Sequence, residues 1–415
     1  MSLWNPIWLV EIDGIEYTEA VLANLTIQSG RTNIYEQANA GYINLQLIDV
    51  NQRAIPVNIN SNISIQIKDS SAAFVPIFGG NVVDIGLEVR DVGSVGFSQT
   101  YNIIALGALA RLPKALTDGV LSKDFDGDQI FTILQAVLFA NWASVPSSLS
   151  WADYEPATTW AEAENTGLGQ IDQPGNYELA KRNSSVSDVY SLVSALATSG
   201  LGYIYEDAQG LIGYADSTHR TNYLTANGYV DLDANHARAA GLQIQTRAGD
   251  VRNNLTIKYG ESSSSDVSAS DAASISLFGQ LSQIISTTLF DSADATDQAD
   301  FYLSLRANPL PIFSSVSFDL TNPEIDDGDR NSLINVFMGM PISLNNLPLN
   351  MSSGTFTGFV EGWSFKAAYN ELSITMNLTP LAYSLQAMRW NDVPITENWS
   401  SVSPTLDWQY ATIVS

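Results

Sequence analysis

A ten-residue motif occurs near both ends of this chain. Phe78-Gly-Gly80-Asn-Val82-Val-Asp-Ile85-Gly-Leu87 and Phe356-Thr-Gly358-Phe-Val360-Glu-Gly-Trp363-Ser-Phe365 share the pattern F-x-G-x-V-x-x-h-x-h, where h is apolar. Apolar residues at every second position are the period of a strand with one buried face. A glycine within such a strand marks a bend, a bulge or a close backbone approach. The similarity extends to both sides. Upstream, Ile63-Ser-Ile65 and Ile342-Ser-Leu344 precede the two phenylalanines at nearly equal distance; downstream, Tyr101-Asn-Ile103-Ile-Ala105-Leu aligns with Leu372-Ser-Ile374-Thr-Met376-Asn as an alternating strand. A chain carrying the same strand pattern twice is expected to fold into two similar β-units, one at each end. Chance recurrence of a short glycine-containing strand is the bland alternative.

The rest of the chain fits between and around these units. Before residue 105, alternation over 8–12, 25–28, 42–48, 63–67, 82–89 and 101–104 predicts strands, punctuated by Gly14, Gly30, Gly41, Gly79, Gly80 and Gly93. An antiparallel barrel or sandwich follows. After residue 116 the period changes. Asp124-Phe-Asp-Gly-Asp128 precedes a helix over 129–139, and a second helix over 187–198 begins with Ser187 as its cap. A hairpin over 203–206 and 211–214 turns at Asp207-Ala-Gln-Gly210. The segment 141–177, with Trp142, Trp151, Tyr154 and Trp160, reads as an extended loop, and the Ser/Ala/Asp tract 262–274 as a mobile loop. Strands return at 242–246, 255–259, 315–320, 342–344, 355–365 and 371–378, with a helix over 293–305 closed by Asn308-Pro309. The expected fold is mainly β with an α+β middle: a first β-unit over 1–115, a mixed region over 116–241 (an insertion in the first unit being the alternative), a second β-unit over 242–390, and a docking tail over 391–415.

Composition removes several functions. The chain has 415 residues, 18 basic and 44 acidic, for a net charge of −26. A surface so acidic is not built to neutralise many phosphates, which excludes a dedicated nucleic-acid binder. With 45% hydrophobic residues the chain is not disordered. Cysteine is absent, and with it disulfides, thiolate metal sites and cysteine nucleophiles. The N-terminus has no basic-then-apolar leader, and the most apolar stretch, 130–142, is shorter than the roughly 20 residues of a membrane span. A soluble chain made in a cytoplasm is expected, without insertion in a membrane.

No catalytic, cofactor or metal site stands out. His219 and His236 lie in polar stretches without convergent partners, at expected surface or hairpin-loop positions. Asp124, Asp126 and Asp128 resemble the start of a calcium loop, but the glycine is at 127 rather than 129 and Gln135 stands where Glu is needed, so capping a helix is the default reading. Asp326, Asp327 and Asp329 around Gly328 pose the same alternatives, with a polar turn preferred. Trp142, Trp151 and Trp160, near Asp153, Glu155, Glu162 and Glu164, are the place to look for a glycan contact or a glycosidase acid pair, although a loop anchored by aromatic side chains is the preferred reading. Phosphate-binding glycine loops are missing.

Several segments together suggest a family. Val10-Glu-Ile-Asp-Gly14, Ile27-Gln-Ser-Gly-Arg31-Thr-Asn-Ile-Tyr35-Glu-Gln37 and Ala40-Gly-Tyr42-Ile-Asn-Leu45-Gln-Leu-Ile48 resemble the opening of minor tail proteins of long-tailed bacteriophages. The 78–85 motif, Ala105-Leu-Gly-Ala-Leu-Ala-Arg-Leu112, Gly249-Asp-Val-Arg-Asn-Asn254 and Gly358-Phe-Val-Glu-Gly-Trp363 fit the same family. The resemblance covers most of residues 7 to 385. It implies a non-enzymatic hub of the tail tip or baseplate: a homotrimer whose chains each supply two tail-tube-like antiparallel β-barrels, so that six similar units meet a hexameric tail-tube or distal tail protein. The tape-measure protein and a central spike or fibre are the further partners it implies, with DNA passing unbound through the channel. An acidic lumen would repel the DNA backbone, and the low charged fraction, 15% against roughly 25% in average chains, suits interface cores. A tail-associated glycan-binding protein or glycosidase, and a distal tail or tube protein with one barrel per chain, are the competing readings.

Overall fold

The computed structural model describes residues 4–17, 21–49, 55–91, 97–139, 168–238, 243–245, 248–309, 312–348, 354–368 and 371–381. Alternation in the first hundred residues becomes seven strands: β1 (Trp8–Ile12), β2 (Ile15–Glu16), β3 (Val21–Gly30), β4 (Asn39–Asp49), β5 (Asn62–Lys68), β6 (Phe74–Asp91) and β7 (Phe97–Leu106). Leu25, Ile27, Ile43, Leu45, Leu47, Ile63, Ile65, Ile67 and Ile103 point inward and are fully buried. Hydrogen-bonded neighbours run β3, β4, β7, β6, β5, β1, all antiparallel.

The second unit repeats that order. Gln243–Gln245, Ile312–Asp319, Glu371–Pro380, Phe356–Ala368, Pro341–Asn345 and Val230–Asp233 are neighbours in that sequence, matching β3, β4, β7, β6, β5 and β1 in turn. The one change of sense is that Val230–Asp233 runs parallel to its neighbour, whereas β1 runs antiparallel to β5. Register makes the repeat physical. Ile63 lies opposite Gly80 and Ile65 opposite Phe78; Ile342 lies opposite Gly358 and Leu344 opposite Phe356. Both motif strands also bulge at one place. Val83 is the extra residue between the Val82/Ala105 and Asp84/Ile104 pairs, and Glu361 is the extra residue between Val360/Leu378 and Gly362/Asn377.

Downstream, the sequence alignment is two residues out of step. Ala105 faces Val82 and Leu378 faces Val360, so Tyr101, Ile103 and Ala105 correspond to Ile374, Met376 and Leu378 rather than to Leu372, Ile374 and Met376. A slip of two keeps every side chain on its face, so alternation cannot detect it.

The units are not separate. Phe356–Ala368 also pairs with β3, from Gly362 opposite Gly30 to Ala368 opposite Asn24, which merges both units into one thirteen-stranded sheet. Strand pairs among the described residues do not close either unit into a barrel. Gly30 and Gly362 allow this junction: a Cβ on Gly30 would sit 2.6 Å from the Gly362 Cα, and Gly30 itself has φ +84°.

Between the units lie helices Asp126–Phe139, Val189–Ser199 and His219–Asn227, and a small sheet in which Ile212–Ala215 is central between Leu168–Ile171 and Tyr203–Glu206. Several expectations are corrected here. Strand Leu168–Ile171 falls within the segment read as loop, the cap of the second helix is Asp188 accepting from the Ser191 N–H, and His219 opens a helix instead of lying in a hairpin loop. Asp326 caps helix Asp327–Ile334, so that aspartate cluster is a helix start and not a bare turn. The Ser/Ala/Asp tract is ordered as well. Strand Ser265–Ser270 pairs along the whole of Asn254–Tyr259, and Asp271 caps helix Ala272–Phe278. Helix Ser292–Arg306 packs across those two strands, with Val267 and Ala269 half-buried against the core.

Candidate assembly site

The repeated motif has a mechanical explanation. A Cβ on Gly80 would lie 2.3 Å from the Leu106 carbonyl oxygen and 2.9 Å from the Phe78 ring; on Gly358 it would lie 2.3 Å from the Thr379 oxygen and 2.9 Å from the Phe356 ring. In each unit the phenylalanine therefore covers the bare face of the glycine two residues on, and the glycine lets the neighbouring strand press in. Val82 and Val360 follow as buried anchors.

Beyond the bulge the two units differ in what covers them. Trp363, Phe365 and Ala367 are 7%, 1% and 3% exposed, under the strand pair made with β3. Of their counterparts, Ile85 is half-buried, whereas Leu87 and Val89 are each 56% exposed, and Val83 at the bulge is 39% exposed. The equivalent positions Phe365/Leu87 and Ala367/Val89 are thus sealed in one unit and open in the other.

At the second bulge the chain places a charge. Glu361 is fully buried, and its Oε2 accepts from Arg31 Nε at 2.7 Å while Arg220 Nη1 and Nη2 donate to Oε1 and Oε2 at 2.7 and 2.9 Å. Arg31 follows β3 in the first unit, Arg220 is on the middle region's helix, and Glu361 belongs to the second unit. One ionic node therefore ties all three together. Tyr203 lies against both guanidinium groups, with ring-centroid distances of 4.6 Å to Arg220 and 5.2 Å to Arg31. Burial works to raise the Glu361 pKa, but the two guanidinium groups overcome it and hold the carboxyl at about 2. Burial lowers the Arg31 pKa, whereas the forked contact keeps that of Arg220 raised. A bulge supplies this geometry because its extra residue leaves the strand ladder.

Two further buried carboxylates brace the middle region. Glu206 accepts from the Gly41 N–H and, at 3.0 Å, from the Leu109 N–H, and a Cβ on either Gly41 or Gly107 would collide with it. Burial raises its pKa to about 7. Asp126 accepts from the Asn176 and Tyr177 N–H groups at 2.8 Å each and from the Tyr214 hydroxyl, and burial raises it to about 6. Its oxygens serve those three donors, which makes it a brace at the helix start. Among the described residues no group of three or more His, Asp or Glu could hold a metal ion.

The other sequence candidates separate. Trp142, Trp151 and Trp160 lie outside the described residues. His219 Nδ1 is 2.7 Å from Asp172 Oδ2, beside an open groove of about 820 Å³ lined by Asp128, Pro174, Asp216 and Tyr223. His236 ends a short 3-10 turn, close enough to Asp233 and Asp329 for charge interaction with both. Among the described residues, no helix is long and apolar enough to cross a membrane. The Arg31–Glu361–Arg220 node escaped sequence reasoning. Its only sequence signal was a Glu in the second motif where the first has Val83.

The sequence matches no protein-family model and no curated protein. Its fold does find counterparts among solved structures. A tail protein from Neisseria meningitidis MC58 superposes with a TM-score of 0.60 at 10% identity, covering 92% of this chain and 98% of that one. The 43 kDa tail protein of prophage MuSo2 from Shewanella oneidensis gives a TM-score of 0.57 at 11% identity, over 91% of this chain and 99% of that one. Over nine-tenths of its length, this chain has the fold of phage tail proteins.

Proposed function

We propose that the chain is a structural hub of a phage tail tip or baseplate, acting in the virion as a homotrimer. One observation carries the reading: a single chain holds two units with the same strand order, register and bulge. Three such chains present six similar units, enough for a trimer to meet a hexameric tail-tube or distal tail ring on one side and a trimeric spike or fibre on the other. The fold shared with two tail proteins supports the same place of action. The tape-measure protein is the further partner, and DNA passes through the channel without being bound, repelled by an acidic wall. The role is assembly, and no catalysis is assigned to the chain.

Light scattering over a range of protein concentrations tests this. The expected solution mass is three times the 45.0 kDa chain mass. A monomer at every concentration, or a hexamer, would overturn the reading.

A further inference from the structure

We propose that the uncovered edge of β6 is completed by strand Gln243–Gln245 of a second copy of this chain. The pairing repeats between copies the pairing that Phe356–Ala368 makes with β3 inside one copy. The proposal rests on the trimeric reading and names the surfaces that would close the ring.

The argument comes from the repeat itself. Phe356–Ala368 changes partner at its bulge: before Glu361 it pairs with Pro341–Asn345, and beyond it with β3. β6 begins the same way, pairing with β5 through Asn81 and then bulging at Val83. Beyond the bulge its counterpart edge has no strand against it among the described residues. The missing partner is the second unit's equivalent of β3, which is Gln243–Gln245. Among the described residues that strand pairs only with Ile312–Asp319, so one of its edges is likewise open. Each copy therefore holds one half of the junction at each end.

Side chains agree with the backbone. Val83, Ile85, Leu87 and Val89 succeed one another along the strand, and three of them are well exposed. Trp363, Phe365 and Ala367, at positions equivalent to the last three, are sealed where β3 is present. An exposed apolar strand edge is an aggregation template unless something pairs with it. A head-to-tail contact of this kind gives a ring if its rotation closes and an open filament if it does not.

Register follows from the internal copy. Ser364 lies opposite Gln28, and Gln28 lies opposite Tyr42 on β4. Leu45 faces Ile103 and Val316 faces Met376, which makes Tyr42 the counterpart of Phe313; Phe313 lies opposite Ile244. Gly86, the counterpart of Ser364, should therefore face Ile244 of the partner subunit.

The chain has no native cysteine, so engineered pairs report cleanly. Opposed residues of antiparallel strands lie within the Cα separation a disulfide bridges. A Cβ on Gly86 meets nothing closer than Asn102 Cβ at 3.5 Å, leaving room for Gly86→Cys. Under mild oxidation the Gly86→Cys/Ile244→Cys double variant should give a covalent trimer on a non-reducing gel. Mixing the two single variants should give covalent dimers, and a Gly86→Cys/Ser268→Cys control should give neither. Independently, Leu87→Lys changes an exposed side chain, and should keep the wild-type circular dichroism while shifting the solution mass from trimer to monomer. If wild-type chains form trimers but the Cys pair fails to cross-link and Leu87→Lys stays trimeric, this interface is wrong and the hub reading stands. A ladder running past trimer would refute the closed ring. Monomers throughout, with no cross-link, would overturn both.

Discussion

Replacing Glu361 by Gln removes the one negative charge between two buried guanidinium groups. Glu361 held at about 2 against its ordinary 4.5 corresponds to roughly 3 kcal/mol of interaction favouring the charged carboxylate. Breaking a buried ion pair from one side ordinarily costs about 3–5 kcal/mol, because the partner is left charged and unpaired. The two figures agree, so Glu361→Gln should lose about 3–4 kcal/mol. Urea unfolding at pH 7 measures this, followed by tryptophan fluorescence, to which Trp363 contributes from beside the node, and in parallel by far-UV circular dichroism. A chain of several packed regions need not unfold in one step, and the two probes would separate the steps.

The sign with pH is fixed by the same pair. A carboxyl whose folded pKa is lowered stabilises fully above its unfolded value and loses that contribution as pH falls, here from about 4.5 to about 2. Glu361→Gln should remove that part of the acid sensitivity. Replacing all three residues together, as Arg31→Met, Arg220→Met and Glu361→Leu, should recover most of the loss, since a buried ion cluster exchanged for apolar side chains is often neutral or better. Arg31→Met alone should cost less than Arg220→Met alone, because Arg31 makes one bond to the carboxylate and Arg220 makes two. A loss below about 1 kcal/mol for Glu361→Gln, in the range of an exposed pair, would refute the node as a tie between the units.

Other outcomes follow from the same geometry. Gly80→Ala and Gly358→Ala each drive a Cβ to 2.3 Å from a neighbouring carbonyl oxygen, and should destabilise by similar amounts, about 1–3 kcal/mol, in thermal melts; one silent and one damaging substitution would break the equivalence of the repeats. Glu206 is raised from 4.5 to about 7, so its contribution is complete below pH 4.5 and fades as pH rises through 7, and Asp126 acts in the same sense from 3.8 to about 6. Stability to denaturant should accordingly fall between pH 5 and 7.5, and Glu206→Gln should flatten that fall; a wild-type profile already flat would contradict the burial of these groups.

Strand positions were legible because their cause is local. In β4, Ile43, Leu45 and Leu47 alternate with residues that face outward, and a period of two follows from strand geometry alone. The recurrence of F-x-G-x-V was legible for the same reason, and with it the expectation of two similar units. The Ser265–Ser270 strand was not. Its side chains are too small to show a hydrophobic pattern, and it is ordered by the strand beside it and the helix across it. Helix His219–Asn227 escaped for a related reason, since it buries only Arg220 and Leu224 and so leaves little apolar period to find.

By itself the sequence determined that the chain is β-rich, acidic, free of thiol chemistry and internally repeated, because each of these depends on composition or on spacing along the chain. Tertiary structure alone decided how the repeats are used. A register slip of two is silent in an alternating pattern, and a bulge residue shows its role only when its partners arrive. Arg31 lies 330 residues from Glu361 in the chain, and no local pattern joins them. The same motif buries Phe365 and exposes Leu87 because one strand edge pairs with β3 and the other meets no strand among the described residues.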